Sequence, residues 1–184
     1  IFFANNVAQL QGDAEKIKAL ADGGNPYMQM AYARLHDVLQ PEKDSNTIKE
    51  HYYKMAANNG IGDAYVHLAY MYRDADLGEI DPDAYKSLMA KGQQHHSERA
   101  MAQAFRDSLC GANDVPCTPE MIYEGAKSLW ENSAFPHPTY LMLMGEALEK
   151  MNRKDEAIKM YQQAAMNGCS QGFYRWAIAA YCNE

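Results

Sequence analysis

The chain has 184 residues, 47% apolar and 22% charged, which is enough for one well-buried core and ordinary for a globular domain. No apolar run approaches the roughly 20 residues that span a bilayer, so membrane insertion is not expected. A net charge of −7 argues against general affinity for nucleic acid or an anionic membrane surface, since both demand a dense basic face.

The first residues, Ile1-Phe2-Phe3-Ala4, admit two readings: the end of a signal peptide with Ala4 at the junction, or an apolar cap on a first helix. Beyond them the chain repeats itself. Leu20 to Ala33, Met55 to Ala69 and Ala164 to Ala177 each read as a helix end, a glycine turn and a new helix. Each new helix carries a small residue about nine positions after the glycine. Gly24 to Gly60 is 36 residues, and Gly60 to Gly168 is 108, three times 36. Two weaker copies fill the gap, one through His95-His96 to Phe105 and one through Pro136 to Gly145. The small-residue register is then Ala33, Ala69, Phe105 (a departure), Gly145 and Ala177. Glycine accepts the left-handed conformation that ends a helix. A small residue lets the partner helix approach, and apolar residues at i, i+3, i+4 and i+7 fill the seam.

Tyr52-Tyr53-Lys54-Met55-Ala56-Ala57 leading through Gly60 to Ala64, Leu68-Ala69 and Tyr72 resembles the Sel-like repeat signature, and Gly78 to Tyr85 resembles its connecting loop. Gly145-Glu146-Ala147-Leu148 with Asp155 to Ile158 and Tyr161 to Ala164 is similar to a tetratricopeptide unit. The resemblance implies an all-α fold, an α/α solenoid of about five helix-turn-helix repeats wound as a right-handed superhelix, forming one domain over residues 1–184. It also implies a scaffold that binds other proteins.

Catalytic and cofactor motifs are missing from the sequence: no glycine-rich phosphate loop, no His-Glu-x-x-His and no Gly-x-Ser-x-Gly. An enzyme, a cofactor and a metal are therefore not expected. His95-His96 beside Glu98 could seed a metal site, but adjacent helical side chains point about 100° apart, so they cannot chelate jointly without a remote third ligand. The acidic run Asp74, Asp76, Glu79, Asp81 and Asp83 lacks the glycine and terminal acid of a calcium loop and reads as a solvated connection. Cys110 and Cys117 flank a turn-rich segment, which suggests a local disulfide and hence an exported, periplasmic or secreted protein, with four reduced cytosolic thiols as the alternative. Cys169 and Cys182, 13 residues apart, would sit about 20 Å apart on one helix and cannot pair directly.

The tetratricopeptide resemblance implies inward-facing positions six and three before the small residue and one and four after it. In the first two units these are Tyr27, Met30, Arg34 and Asp37, then Asp63, Val66, Tyr70 and Arg73. The third unit supplies Arg99, Ala102, Arg106 and Leu109. The fourth supplies Thr139, Met142, Glu146 and Glu149, and the last Gln171, Tyr174, Ile178 and Tyr181. The selection collects four of the chain's six arginines. Arginine and tyrosine anchor interfaces, and arginine grips carboxylates through paired bonds. The candidate partner-binding residues are accordingly Tyr27, Arg34, Tyr70, Arg73, Arg99, Arg106 and Tyr174, and the partner is another protein or an acidic peptide. Against this stands simple pairing of these arginines with Asp37, Asp63, Asp74 and Asp107. Function divides between an exported adaptor, regulator or toxin-neutralising protein and a structural subunit of a cell-envelope complex. The subunit reading would use the apolar helix Phe173 to Tyr181, which also offers a route to self-association.

Overall fold

The structure is a computed structural model that describes the backbone of residues 2–39, 45–112 and 117–181, and the side chains within these except at 2–11, 37–39 and 181. Among the described residues it consists of ten α-helices: α1 (Phe2–Asp22), α2 (Pro26–Leu39), α3 (Ser45–Asn58), α4 (Gly62–Arg73), α5 (Pro82–Gln94), α6 (Glu98–Leu109), α7 (Pro119–Asn132), α8 (Thr139–Lys150), α9 (Lys154–Met166) and α10 (Ser170–Tyr181). Its contacts divide it into two compact units, residues 1–100 and 101–184, with the boundary inside α6.

The expected turns are present, and three share one hydrogen-bonding scheme in the first unit. Gly24 N–H donates to Ala21 O and Asn25 N–H to Leu20 O, at 3.0 and 3.1 Å. Gly60 and Ile61 repeat this on Ala57 and Ala56, and His96 and Ser97 on Gln93 and Gly92. The residue at each bend is left-handed: φ is 93° at Gly24, 89° at Gly60 and 57° at His96. His96 thus takes a glycine's place 36 residues after Gly60. In the second unit Gly168, with φ 87°, and Cys169 repeat the scheme on Ala165 and Ala164. The turn through Pro136 differs. There α7 ends at Ser133 in extended conformation, with no left-handed residue before α8.

In the first unit each of α1 to α5 packs on its chain neighbour. The core gathers Ala21, Ala33, Tyr52, Ala56, Ala64 and Leu68, with Val66, Ala69, Met89 and Ala100 forming a second cluster. Gln29 is fully buried yet satisfied, donating to Ala21 O at 3.1 Å and accepting from Asn59 at 3.1 Å. Gly62 must be glycine for space, because a Cβ there would lie 2.6 Å from the His95 carbonyl oxygen.

The second unit packs α7 on α8, α8 on α9 and α9 on α10 around Leu141, Leu143, Leu148 and Tyr161. The small-residue rule holds at Gly145, where a Cβ would run into the Tyr161 ring. The departure at Phe105 is compensated across the pair, since its ring occupies the place that a Cβ on Gly125 would need. Small and large have exchanged helices.

Two of the connecting loops end in a side-chain cap on the following helix. Asp81 accepts from the N–H groups of Asp83 and Ala84 ahead of Pro82, and Thr118 accepts from Met121 ahead of Pro119. Asp74 is bonded by Arg73. Within the acidic run, Asp81 thus caps α5 and Asp74 pairs with Arg73.

Candidate functional site

The first helix of each pair carries the candidate residues, and α4 shows the arrangement most fully. At 3.6 residues per turn Asp63, His67 and Tyr70 share one face of α4. Asp63 accepts a hydrogen bond from the Ser97 hydroxyl. His67, not among the expected partner-binding residues, lies flat on the ring of Tyr53 from α3, with centroids 5.0 Å apart. Its Nε2 is buried and has no hydrogen-bond partner.

The electrostatics around His67 locate the arginines. Burial pushes its pKa down to about 4, aided by Arg99 from α6, Arg34 from α2 and Lys49 from α3, while Asp63 opposes. Arg34 and Arg99 are both exposed, each acts on His67 electrostatically as Lys49 does, and neither forms an ion pair with a described residue.

Arg73 is differently placed. Its Nε and a terminal nitrogen donate to both carboxylate oxygens of Asp74 at 2.7 and 2.8 Å, and its guanidinium sits 4.4 Å from the Tyr70 ring centroid. The simple-pairing alternative describes this arginine. Asp63 accepts from Ser97 and Asp107 accepts from Gln103 at 2.8 Å, while the Asp37 side chain lies outside the described residues. Tyr27 stands 70% exposed at the start of α2.

Arg106 and Tyr174 belong to the second unit. Arg106 acts on Glu146, whose pKa is raised first by burial and then moderated by Arg175 and Arg106. Arg175, absent from the expected set, reaches Glu146 at 3.5 Å and Glu149 at 3.6 Å. Tyr174 is 68% exposed on α10 beside Phe173 and Ile178.

Two expectations are corrected. In the column three before the small residue, Val66, Ala102 and Met142 are buried rather than groove-lining, whereas Met30 is half-buried and Tyr174 exposed. The disulfide between Cys110 and Cys117 is not formed: both are free thiols, as is Cys169, while Cys182 lies outside the described residues. Cys110 is held in the exposed turn closing α6, its N–H on Arg106 O at 3.1 Å. Cys117 is drawn instead onto Ser108, its N–H 3.3 Å from the hydroxyl. With both thiols free, this pair gives no support to an oxidising compartment.

His95 and His96 serve the turn, with His95 stacking on Tyr65 at 5.0 Å. Among the described residues no group of three His, Cys, Asp or Glu is placed to hold a metal ion, and no helix is long and apolar enough to cross a membrane.

No protein-family model matches the chain, and no curated protein matches it in sequence. Among solved structures it is similar to the crystal structure of a Sel1 repeat protein from Oxalobacter formigenes, with a TM-score of 0.64 and 19% identity over 88% of this chain. The match covers 46% of that protein, so the chain spans about half its length. The all-α array of helix pairs described above is thus the fold of a Sel1-repeat solenoid.

Proposed function

We propose that the chain is a protein-binding scaffold that captures an acidic segment of a partner on the face carrying Arg34, His67 and Arg99. The observation that carries this reading is that Arg34 and Arg99 are exposed on the first helices of their pairs and make no ion pair with a described residue, in a chain whose net charge is −7. A carboxylate entering there gains paired guanidinium bonds. Adaptor, regulator and toxin-neutralising duties all rest on such capture, in an exported setting or another. Affinity capture from native extract, with the bound protein identified by mass spectrometry, tests it. The Arg34→Glu/Arg99→Glu variant should lose at least about tenfold in affinity, while Arg153→Glu, on a surface arginine bonded to Glu156, should not. Equal capture by all three proteins would defeat the proposal.

A second reading, the structural subunit, is favoured by α10. Phe173, Tyr174 and Ile178 are 53%, 68% and 41% exposed on one helix of the second unit. Phe173→Glu with Ile178→Glu would then abolish capture that the arginine variant leaves intact.

A further inference from the structure

On the side of α4 opposite His67 a cavity of about 380 Å³ opens between α3, α4 and α5, within the size range of binding pockets. Buried Leu68 forms its floor, half-buried Tyr65, Tyr72 and Leu88 its walls, and exposed Asn58 and Lys91 part of its rim.

The repeat explains why the space is there. The interval of 36 residues sets α3, α4 and α5 in register with α1, α2 and α3. Leu88 then corresponds to Tyr52, Leu68 to Tyr32, Asn58 to Asp22 and Lys91 to Met55. In the earlier cleft Tyr52 is only 6% exposed, its ring edge-on to Tyr32 at 4.7 Å and its hydroxyl donating to Asp22 at 2.6 Å. One repeat later a leucine stands where that tyrosine would be. The ring and hydroxyl are missing, and the cavity lies beside the residue that should have supplied them.

We propose that this cavity receives a tyrosine side chain of a partner protein, flanked by acidic residues. The ring would lie over Leu68 between Tyr65 and Tyr72, as Tyr52 lies against Tyr32, with its hydroxyl at Asn58 in the place of Asp22. The charge at the rim sets the flanking residues. Lys54 is bonded by Glu50 at 2.5 Å, whereas Lys91 makes no ion pair with a described residue and faces an incoming carboxylate. This surface is separate from the Arg34/Arg99 face.

The test is binding of a fluorescent peptide with one tyrosine between glutamates, compared with its Tyr→Ala counterpart and with 4-hydroxyphenylacetate. The tyrosine peptide should bind at least about tenfold tighter than the alanine peptide. Leu88→Tyr, which restores the missing ring, should raise the melting temperature and weaken binding about tenfold. Lys91→Glu should weaken binding with no change in melting, and it decides the matter if Leu88→Tyr fails to fold. Arg34→Glu/Arg99→Glu should bind the peptide as the parent does. Equal binding of the two peptides, unchanged binding by Leu88→Tyr or Lys91→Glu, or loss in the arginine variant would overturn the proposal. Binding of 4-hydroxyphenylacetate as tight as the peptide's would overturn a protein partner in favour of a small aryl carboxylate.

Discussion

The imidazole of His67 and the phenol ring of Tyr53 are stacked with planes 9° from parallel. This contact, made from α4 to α3, seats the histidine where burial, Arg99, Arg34 and Lys49 all disfavour its protonation and only Asp63 favours it.

A pH dependence follows. The folded pKa of about 4 lies below the ordinary 6.5, so below pH 6.5 the unfolded chain binds the proton first. Stability from His67 is complete above pH 6.5 and is lost as pH falls towards 4. Between pH 7 and pH 5 the loss amounts to about 2 kcal/mol. His67→Phe keeps the stacking and removes the titration. Urea unfolding at the two pH values should show a correspondingly smaller loss in the variant, and an equal loss in both proteins would refute the assignment.

The turn at His96 carries a side chain in a conformation that glycine adopts freely. His96→Gly should therefore stabilise the fold by about 0.5–1 kcal/mol in chemical denaturation. The reverse experiment is Gly62→Ala at the start of α4, which packs against that turn. Its new methyl would meet the His95 carbonyl at 2.6 Å and Ser97 Cβ at 3.1 Å, and it should destabilise by about 1–3 kcal/mol.

Glu146 is held protonatable by burial despite Arg175 and Arg106. Its raised pKa means the native state resists ionisation, so the charge opposes folding once pH exceeds the ordinary carboxylate range. Glu146→Gln should raise the melting temperature at pH 7, with the gain shrinking as pH falls through 4.5. A gain that persists at acid pH would point to packing rather than charge.

The free thiols predict a chemical result. Cys110 is exposed and Cys117 half-buried, so iodoacetamide should label both without denaturant, Cys110 faster, and reductant should leave the melting temperature unchanged. Resistance of both to labelling would restore the bridge.

Much of the architecture is local and so was readable. The Gly24, Gly60 and Gly168 turns announce themselves because a left-handed bend is cheap only for glycine. The 36-residue spacing placed the turn at His96, although a histidine gives no conformational signal of its own. The candidate site was legible only in part. Arg34 and Arg99 were selected by register, whereas His67 was not among the expected partner-binding residues: it follows Asp63 by four residues on the same face, and the only signal was that spacing. Arg73 was legible as an arginine, while its commitment to Asp74 depends on how the end of α4 is turned.

The sequence alone determined the helix pairs, their turns and the residues that recur at each bend, because these follow from backbone preference and apolar periodicity within a few residues. Tertiary structure decided which arginines carry unneutralised charge, that Phe105 is matched by Gly125, that Cys110 and Cys117 stay apart, and that Leu88 leaves a cavity where Tyr52 fills one. Each of these depends on what a neighbouring helix brings to the contact, and volume, pairing and desolvation are properties of two surfaces together.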